Sequence, residues 1–136
     1  MSLYQLPSDL PVPVDDGAAD HLVGLEVPHL EFESSKGRVD LAELAARLAV
    51  LYVYPATGVP GRPSPDGWDA IPGARGCTPQ ACAFRDHADE LAELGARVAG
   101  LSAQSLEQQI EFALREHMPF PVVADPELRL RDALAL

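Results

Sequence analysis

The feature that most constrains the fold is a continuous apolar and aromatic run from Ala49 to Tyr54, which stops at Pro55. A run of this kind, rich in Val and Tyr and without polar alternation, is typical of a strand buried in the centre of an α/β sheet. Two further apolar segments follow at 97–101 and 119–125, and a stretch with helical periodicity precedes each of them. This alternation predicts a mostly parallel central sheet with helices on both faces.

The helical stretches carry apolar residues at spacings of three and four. Asp40 is the expected N-cap of the first helix, and either Ser102 or Ser105 that of the third. Helices are expected at 41–48, 78–94, 106–114 and 127–134. In the third helix, the expected apolar face consists of Leu106, Ile110 and Leu114.

One more strand is predicted ahead of the first helix. Residues 25–32 partly alternate between apolar and polar side chains, and Pro28, which has no N–H for a ladder, places this strand at the edge of the sheet. Residues 34–37 form a turn signal, and Val39 begins a short return.

The chain divides into two parts. Residues 1–20 are rich in Pro, Asp and Ala without an apolar period and predict an N-terminal arm, whereas residues 21–136 predict one domain. Within the domain, the segment 55–76 contains several prolines and glycines and predicts a long loop, which in a small domain is typically functional or mobile. No closing strand follows the last predicted helix, so we expect a sheet without its final strands, open at one edge.

Composition limits the classes of partner. The net charge is −11, and an acidic surface repels phosphate backbones and anionic lipid, so neither nucleic acid nor a membrane is an expected partner. The N-terminus has no basic start and no apolar run of signal-peptide length, and no segment is long enough to span a bilayer. These observations predict a cytoplasmic protein whose thiols stay reduced.

The only two cysteines, Cys77 and Cys82, lie at the expected start of the second helix. Unpaired N–H groups and the dipole of a helix start lower the pKa of a thiol, so we expect Cys77 to be a thiolate at neutral pH. A thiolate attacks the O–O bond of a peroxide and becomes a sulfenic acid, with which a second thiol condenses. Five residues of helix separate the two Cα atoms by about 8 Å, beyond the ~7 Å limit for a disulfide, so we expect the first turns to unwind on oxidation.

Two other interpretations of the cysteine pair stay open at this point. Buried free cysteines also serve as core filler. A metal site is less favoured, because the C-x4-C spacing is wide and no second Cys or His pair lies at zinc-like spacing, and His87 is interpreted as a lone surface histidine.

Around the cysteines, the sequence resembles a known family. Residues 76–86 have the sequence G-C-T-P-Q-A-C-A-F-R-D, with L-Y-V-Y-P before them at 51–55, V-A-G-L-S after them at 98–102 and P-F-P-V-V-A-D at 119–125. In order and spacing, these segments are similar to the peroxiredoxins of the AhpC/TSA superfamily, specifically the bacterioferritin-comigratory or Q type. The resemblance extends over roughly residues 21–136.

The resemblance implies a thioredoxin-like fold and a thiol-dependent peroxidase that reduces hydrogen peroxide and organic hydroperoxides. By position, Cys77 corresponds to the peroxidatic cysteine and Cys82 to the resolving cysteine of an intramolecular disulfide. Pro55, Gly76 and Arg75 are the candidate substrate-binding residues. Thioredoxin or a similar dithiol protein is the implied reductant, no metal or organic cofactor is implied, and a monomer or dimer is expected.

Three departures from the family pattern concern the site. Ala74 occupies the position three residues before the peroxidatic cysteine, where the family places a Thr or Ser hydroxyl. The loop from Pro55 to Cys77 is longer than in the family and carries Trp68, interpreted either as a lid or substrate wall or as a surface decoration. The activating arginine that the family carries on a late strand has no counterpart, and Arg75 is the candidate for supplying positive charge.

Structural roles are expected for two tyrosines, one arginine and a set of acidic side chains. Tyr52 and Tyr54 are expected to pack in the core with a hydroxyl reaching a partner, and a role for Tyr54 beside the thiolate is the alternative. Arg85 is expected to pair with Asp86 or Asp89. Solvated helix faces are expected for the acidic side chains Asp86, Asp89, Glu90, Glu93, Glu107, Glu111 and Glu116.

Two other functions stay open. A thiol–disulfide sensor or exchange protein with little peroxidase turnover would keep both thiols but lack the hydroxyl at position 74 and the late arginine. An inactive fragment would associate with a second chain through its exposed sheet edge.

Overall fold

The computed structural model describes Tyr4 and residues 8–136. The other residues of the predicted arm, 1–3 and 5–7, lie outside the described residues. Residues 8–19 contain no helix or strand, and the first regular structure is a single 3-10 turn at Asp20–Leu22.

Five strands form one mixed sheet. They are β1 (Glu31–Ser34), β2 (Gly37–Asp40), β3 (Ala49–Val53), β4 (Arg97–Ser102) and β5 (Val122–Ala124). Their order in the sheet is β2-β1-β5-β4-β3. The strands β3, β4 and β5 run parallel, as predicted from the three apolar segments, whereas β1 pairs antiparallel with both β2 and β5.

The apolar run at 49–54 forms a strand, but the prediction that it lies in the centre of the sheet is wrong. Strand β3 is the last in the order, and β4 is its only partner among the described strands. The run is apolar because both faces of β3 are covered: Leu51 packs into the core on one face and Tyr52 into the core on the other. Val53, at the end of the strand, is 54% exposed.

The strand predicted at 25–32 is displaced and is not at the edge. The ladder begins only at Glu31, so Pro28 lies outside it and no ladder hydrogen bond is lost. Strand β1 instead lies between β2 and β5. The tight turn into β2 uses Gly37, whose positive φ of 92° disfavours any side chain.

The α-helices are α1 (Leu41–Ala45), α2 (Cys77–Asp86), α3 (Ala88–Glu93), α4 (Leu106–Arg115) and α5 (Arg129–Leu134). The carboxylate of Asp40 accepts a hydrogen bond from the first turn of α1, as predicted. Of the two serines predicted for α4, Ser105 is the N-cap and forms a reciprocal capping box. The single helix predicted over 78–94 is two helices, because the backbone of His87 (φ −104°, ψ 10°) leaves the helical region. None of the helices in the described part of the chain is long and apolar enough to cross a membrane.

Helix α4 buries a face other than the predicted one. Ile110 is 38% exposed and Leu114 is 71% exposed, whereas the buried side consists of Gln109, Phe112 and Ala113. The polar Gln109 is the reason that the apolar pattern pointed to the wrong side of the helix.

Gln109 is buried because its amide group is satisfied. Its nitrogen donates to the carbonyl oxygen of Val123 at 2.7 Å, and its oxygen accepts from the hydroxyl of Tyr54 at 2.9 Å. A polar side chain with partners in the core avoids the desolvation penalty that keeps glutamine at the surface elsewhere.

Two apolar clusters lie on opposite faces of the sheet. Side chains of α2 and α4 fill one cluster, with residues of α3 packed against it, and side chains of α1 and α5 contribute to the other. The prediction of helices on both faces is therefore confirmed, and both cysteines belong to the first cluster.

The buried face of α4 can be tested with two apolar side chains of the same helix. Phe112→Ala should lower the free energy of unfolding by about 3–5 kcal/mol, because it removes a fully buried ring. Leu114→Ala should change it by less than about 0.5 kcal/mol, because that side chain is solvated. Urea unfolding followed by circular dichroism measures both values, and equal losses in the two variants would contradict the assigned face.

Candidate active site

Cys77 is the first residue of helix α2, as the sequence predicts. A 3-10 turn at Ala74–Gly76 directs the chain into the helix, and it starts from Gly73, which has a left-handed φ of 79°. Gly76 is the N-cap and has no side chain to occupy the first N–H groups of α2. The thiol therefore lies at a helix start whose backbone donors are available.

The sulfur of Cys77 is buried, with the residue only 7% exposed. This burial raises the pKa of the Cys77 thiol above its ordinary value, although hydrogen bonds from the backbone N–H groups of Ala56 and of Cys77 itself lower it in part. The predicted lowering of the pKa is therefore wrong. The sequence identifies the helix start, but it does not show how deeply the sulfur lies beneath the surface.

The segment that includes Ala56 is held by polar side chains at the end of β4 and in the connection from β4 to α4. The hydroxyl of Ser102 donates to the carbonyl oxygen of Pro55 at 3.0 Å. The side-chain oxygen of Gln104 accepts from the N–H of Thr57 at 3.0 Å. The candidate residue Pro55 directly precedes Ala56, and Ser102 holds its carbonyl oxygen through a contact that sequence reasoning did not identify.

Two further contacts fix the same segment to the helices. The hydroxyl of Thr78 accepts from the N–H of Gly58 at 3.2 Å, and the guanidinium of Arg115 donates to the carbonyl oxygen of Gly58 at 3.0 Å. Thr78 directly follows Cys77 in the first turn of α2. This position was the sequence signal for its contact with the loop after β3.

Arg75 lies beside Cys77 in sequence, but its charge is directed elsewhere. Its guanidinium donates two hydrogen bonds to the carboxylate of Asp69, at 2.7 and 2.6 Å. Among the described residues, the groups that shift the pKa of Cys77 include no arginine. Gly76 therefore lies next to the thiol as the N-cap of α2, whereas the charge of Arg75 does not act on the thiol. Arg75 instead pairs with Asp69 within the long loop.

The long loop contains two 3-10 turns, at Trp68–Ala70 and Ala74–Gly76. Ala74 is half-buried and has no hydroxyl to offer. Trp68 is also half-buried, and its role as a lid, a substrate wall or a surface decoration stays a prediction.

Cys82 is the second buried thiol, and it lies further along the same helix, also 7% exposed. Its Sγ donates to the carboxylate Oε2 of Glu116 at 3.7 Å. Burial raises the pKa of the Cys82 thiol above its ordinary value, the charge of Arg85 opposes that rise, and Glu116 adds to it. Both cysteines are free thiols.

Arg85 connects helix α2 to Glu116. Its Nε donates to Asp86 Oδ1 at 2.9 Å, which confirms the predicted pair. Its Nη1 also donates to the backbone carbonyl of Glu116 at 2.9 Å and to the carboxylate at 3.3 Å.

The prediction that Glu116 lies on a solvated face is wrong, because the residue is 6% exposed. It extends the buried side of α4, four residues after Phe112 and seven after Gln109. This helical spacing was the sequence signal that Glu116 lies on the buried side. The prediction missed it because it was based on the charge of the side chain alone.

The two tyrosines of the 49–54 run pack in the core near the cysteines, as predicted. The hydroxyl of Tyr54 donates to Gln109, whereas the hydroxyl of Tyr52 has no hydrogen-bond partner among the described residues. The Tyr52 ring stacks on Phe84 with centroids 4.6 Å apart. Burial raises the pKa of both hydroxyls far above their ordinary range, so both stay neutral.

Comparison with known proteins identifies relatives of this chain. Residues 70–136 match the sequence profile of the AhpC/TSA family. The chain is 32% identical to peroxiredoxin Bcp of Bacillus subtilis over 112 residues, which are 82% of this chain and 62% of that protein. It is 32% identical to the chloroplastic peroxiredoxin Q of Sedum lineare over 109 residues, which are 79% of this chain and 50% of that protein. The chain thus spans between half and two thirds of the length of these relatives.

Solved structures agree with this assignment. Peroxidoxin BcpB of Mycobacterium tuberculosis superposes with a TM-score of 0.66 at 27% identity, covering 82% of this chain and 64% of that one. Peroxiredoxin Q of Xanthomonas campestris superposes with a TM-score of 0.62 at 22% identity, covering 94% of this chain and 67% of that one. At this identity, the likeness shows the fold alone. Together with a thiol at the start of α2 in a thioredoxin-like fold, these matches show that residues 70–136 resemble an AhpC/TSA domain and that the chain is homologous to peroxiredoxins of the bacterioferritin-comigratory or Q type.

Proposed function

We propose that this chain is a thiol-dependent peroxidase in which Cys77 attacks the peroxide and Cys82 resolves the product. The observation that carries the proposal is the position of Cys77. It is the first residue of α2, and the backbone N–H groups of Ala56 and Cys77 lower the pKa of its thiol against the effect of burial. Such donors stabilise the thiolate, which is the reactive form of cysteine.

In the first step, the thiolate of Cys77 attacks one oxygen of the peroxide and the O–O bond breaks. The sulfur is oxidised to a sulfenic acid, and the other oxygen takes up a proton and leaves as water or an alcohol. The donors at Ala56 and Cys77 oppose the penalty of burial at this step, because they compensate the negative charge on the sulfur before the attack.

In the second step, the sulfur of Cys82 forms a bond with the sulfur of Cys77. The S–O bond of the sulfenic acid breaks, and its oxygen leaves as water with the proton lost by Cys82. Both residues lie on the continuous helix α2, where the helical rise keeps them apart by about 8 Å. The proposal therefore requires the first turns of α2 to unwind before the disulfide closes.

The proposed substrates are hydrogen peroxide and organic hydroperoxides, and the proposed reductant of the disulfide is thioredoxin or a similar dithiol protein. The similarity to peroxiredoxins supports both. A cytoplasmic setting is proposed because the two cysteines are free and buried rather than joined as a structural crosslink. No step needs a metal or an organic cofactor, and we propose a monomer or dimer without a nucleic-acid or membrane partner.

The roles of the two thiols can be tested by intact-protein mass spectrometry seconds after one equivalent of hydrogen peroxide. The wild type should lose about 2 Da as the disulfide forms, and Cys82→Ser should gain about 16 Da as the sulfenic acid. Cys77→Ser should keep its mass, because Cys82 is not the attacking thiol. Oxidation of Cys77→Ser at the same rate as Cys82→Ser would contradict these roles.

A slow first oxidation in the wild type, followed by reversible disulfide exchange with thioredoxin, would instead identify a redox sensor or exchange protein. Self-association with unreactive thiols would identify an inactive fragment. Size-exclusion chromatography of the reduced protein, taken together with the thiol reactivity, separates this last outcome from the other two.

The pH dependence of Cys77 follows from its raised pKa. Because the thiolate is the minor form at neutral pH, the alkylation rate of Cys77 in Cys82→Ser should rise about tenfold per pH unit and show no plateau below pH ~8.5. Iodoacetamide labelling of the folded variant between about pH 6 and 10, in steps of about one pH unit, measures the profile. A plateau on the acidic side of neutrality would show that the helix start outweighs burial.

A further inference from the structure

A carboxylate lies against the second thiol. The Oε2 of Glu116 accepts a hydrogen bond from Cys82 Sγ at 3.7 Å, and the Glu116 side chain is 7% exposed. This contact joins α2 to the end of α4, the helix that packs beside it on the same face of the sheet.

The two oxygens of Glu116 are fully engaged. Oε1 accepts from the hydroxyl of Tyr4 at 2.9 Å and from Arg115 Nη1 at 2.6 Å. Oε2 accepts from Arg85 Nη1 at 3.3 Å in addition to Cys82. Two guanidinium groups thus balance the negative charge, which is the condition for a carboxylate to stay buried.

The charges around Cys82 act in opposite directions. After burial, which raises the pKa of the Cys82 thiol most, the positive charge of Arg85 favours the thiolate, whereas Glu116 and Asp86 favour the protonated thiol. Tyr52 also faces Cys82 from β3, but its hydroxyl is neutral over the whole working range of pH.

We propose that Glu116 is a positioning residue that holds Cys82 as a protonated thiol in helix α2 and thereby limits the rate of its attack on oxidised Cys77. This inference rests on the proposed roles of the two cysteines. Cys82 must break its hydrogen bond to Glu116 and lose its proton before its sulfur displaces the oxygen of the sulfenic acid as water. The longer the contact with Glu116 lasts, the longer the sulfenic acid of Cys77 stays exposed to a second peroxide, which oxidises it to the sulfinic acid.

The hold on Cys82 can be measured without any peroxidase activity. In a Cys77→Ser background, the pH midpoint of Cys82 alkylation by iodoacetamide should fall by on the order of one unit in Glu116→Gln, because the nearby negative charge is removed and Arg85 remains. The matched control is Glu111→Gln, which also removes an ion pair with Arg115, at 2.8 Å, but does not contact Cys82. An unchanged midpoint in Glu116→Gln, or an equal shift in Glu111→Gln, would overturn the inference.

The consequence for turnover is measured with both cysteines present. Rapid-quench mass spectrometry should show a first oxidation of Cys77 at the wild-type rate in Glu116→Gln, followed by severalfold faster disulfide formation and less sulfinic acid. Slower disulfide formation would overturn the inference, since it would make Glu116 an aid to the attack. If the wild type shows no first oxidation, the proposed peroxidase function fails, whereas the alkylation midpoint still reports on Glu116.

A second variant covers a failure of Glu116→Gln to fold, which circular dichroism detects. Glu116→Asp keeps the negative charge between the two arginines but withdraws it from the sulfur. It should lower the midpoint of Cys82 in the same direction by a smaller amount, and a rise of the midpoint would contradict the proposed contact.

Discussion

The central constraint of this structure is that both cysteines lie on one continuous helix that packs against the sheet. Helix α2 begins at Cys77 and includes Cys82, and both thiols belong to the cluster between the helices and the sheet. The geometry that offers backbone N–H donors to the first sulfur therefore also holds the second sulfur away from it. The folded structure is the reduced state, and a disulfide requires α2 to open.

The contacts that hold α2 lie close to the two cysteines. Thr78 accepts from the loop after β3, and Cys82 and Arg85 both donate to Glu116. A hydrogen bond of this kind contributes about 1 kcal/mol net, so their sum is within the range of local opening rather than global unfolding. Glu116 consequently lies where the helix must be released for the disulfide to close, so the proposed effect of a change there is on the opening of α2 and not on the first oxidation.

Much of the fold was predictable because its local signals agree with its tertiary structure. The three parallel strands, the caps at Asp40 and Ser105 and the helix start at Cys77 follow from periodicity and capping chemistry. The errors at the candidate site share one cause, namely that burial depends on partners distant in sequence. Gln109 and Glu116 are buried because Tyr54, Val123 and the arginines satisfy them, and the pKa of Cys77 is raised because the fold covers its sulfur.

Hydrogen exchange of the α2 amides before and after oxidation tests the central claim most directly. The wild-type protein is compared in its reduced form and as the isolated disulfide, with Cys82→Ser treated with peroxide as the control that cannot close the bond. The account predicts that protection of residues 77–84 is lost in the disulfide form while that of β4 and α4 is retained. Retained protection of α2 in a protein whose mass proves the Cys77–Cys82 disulfide would contradict it.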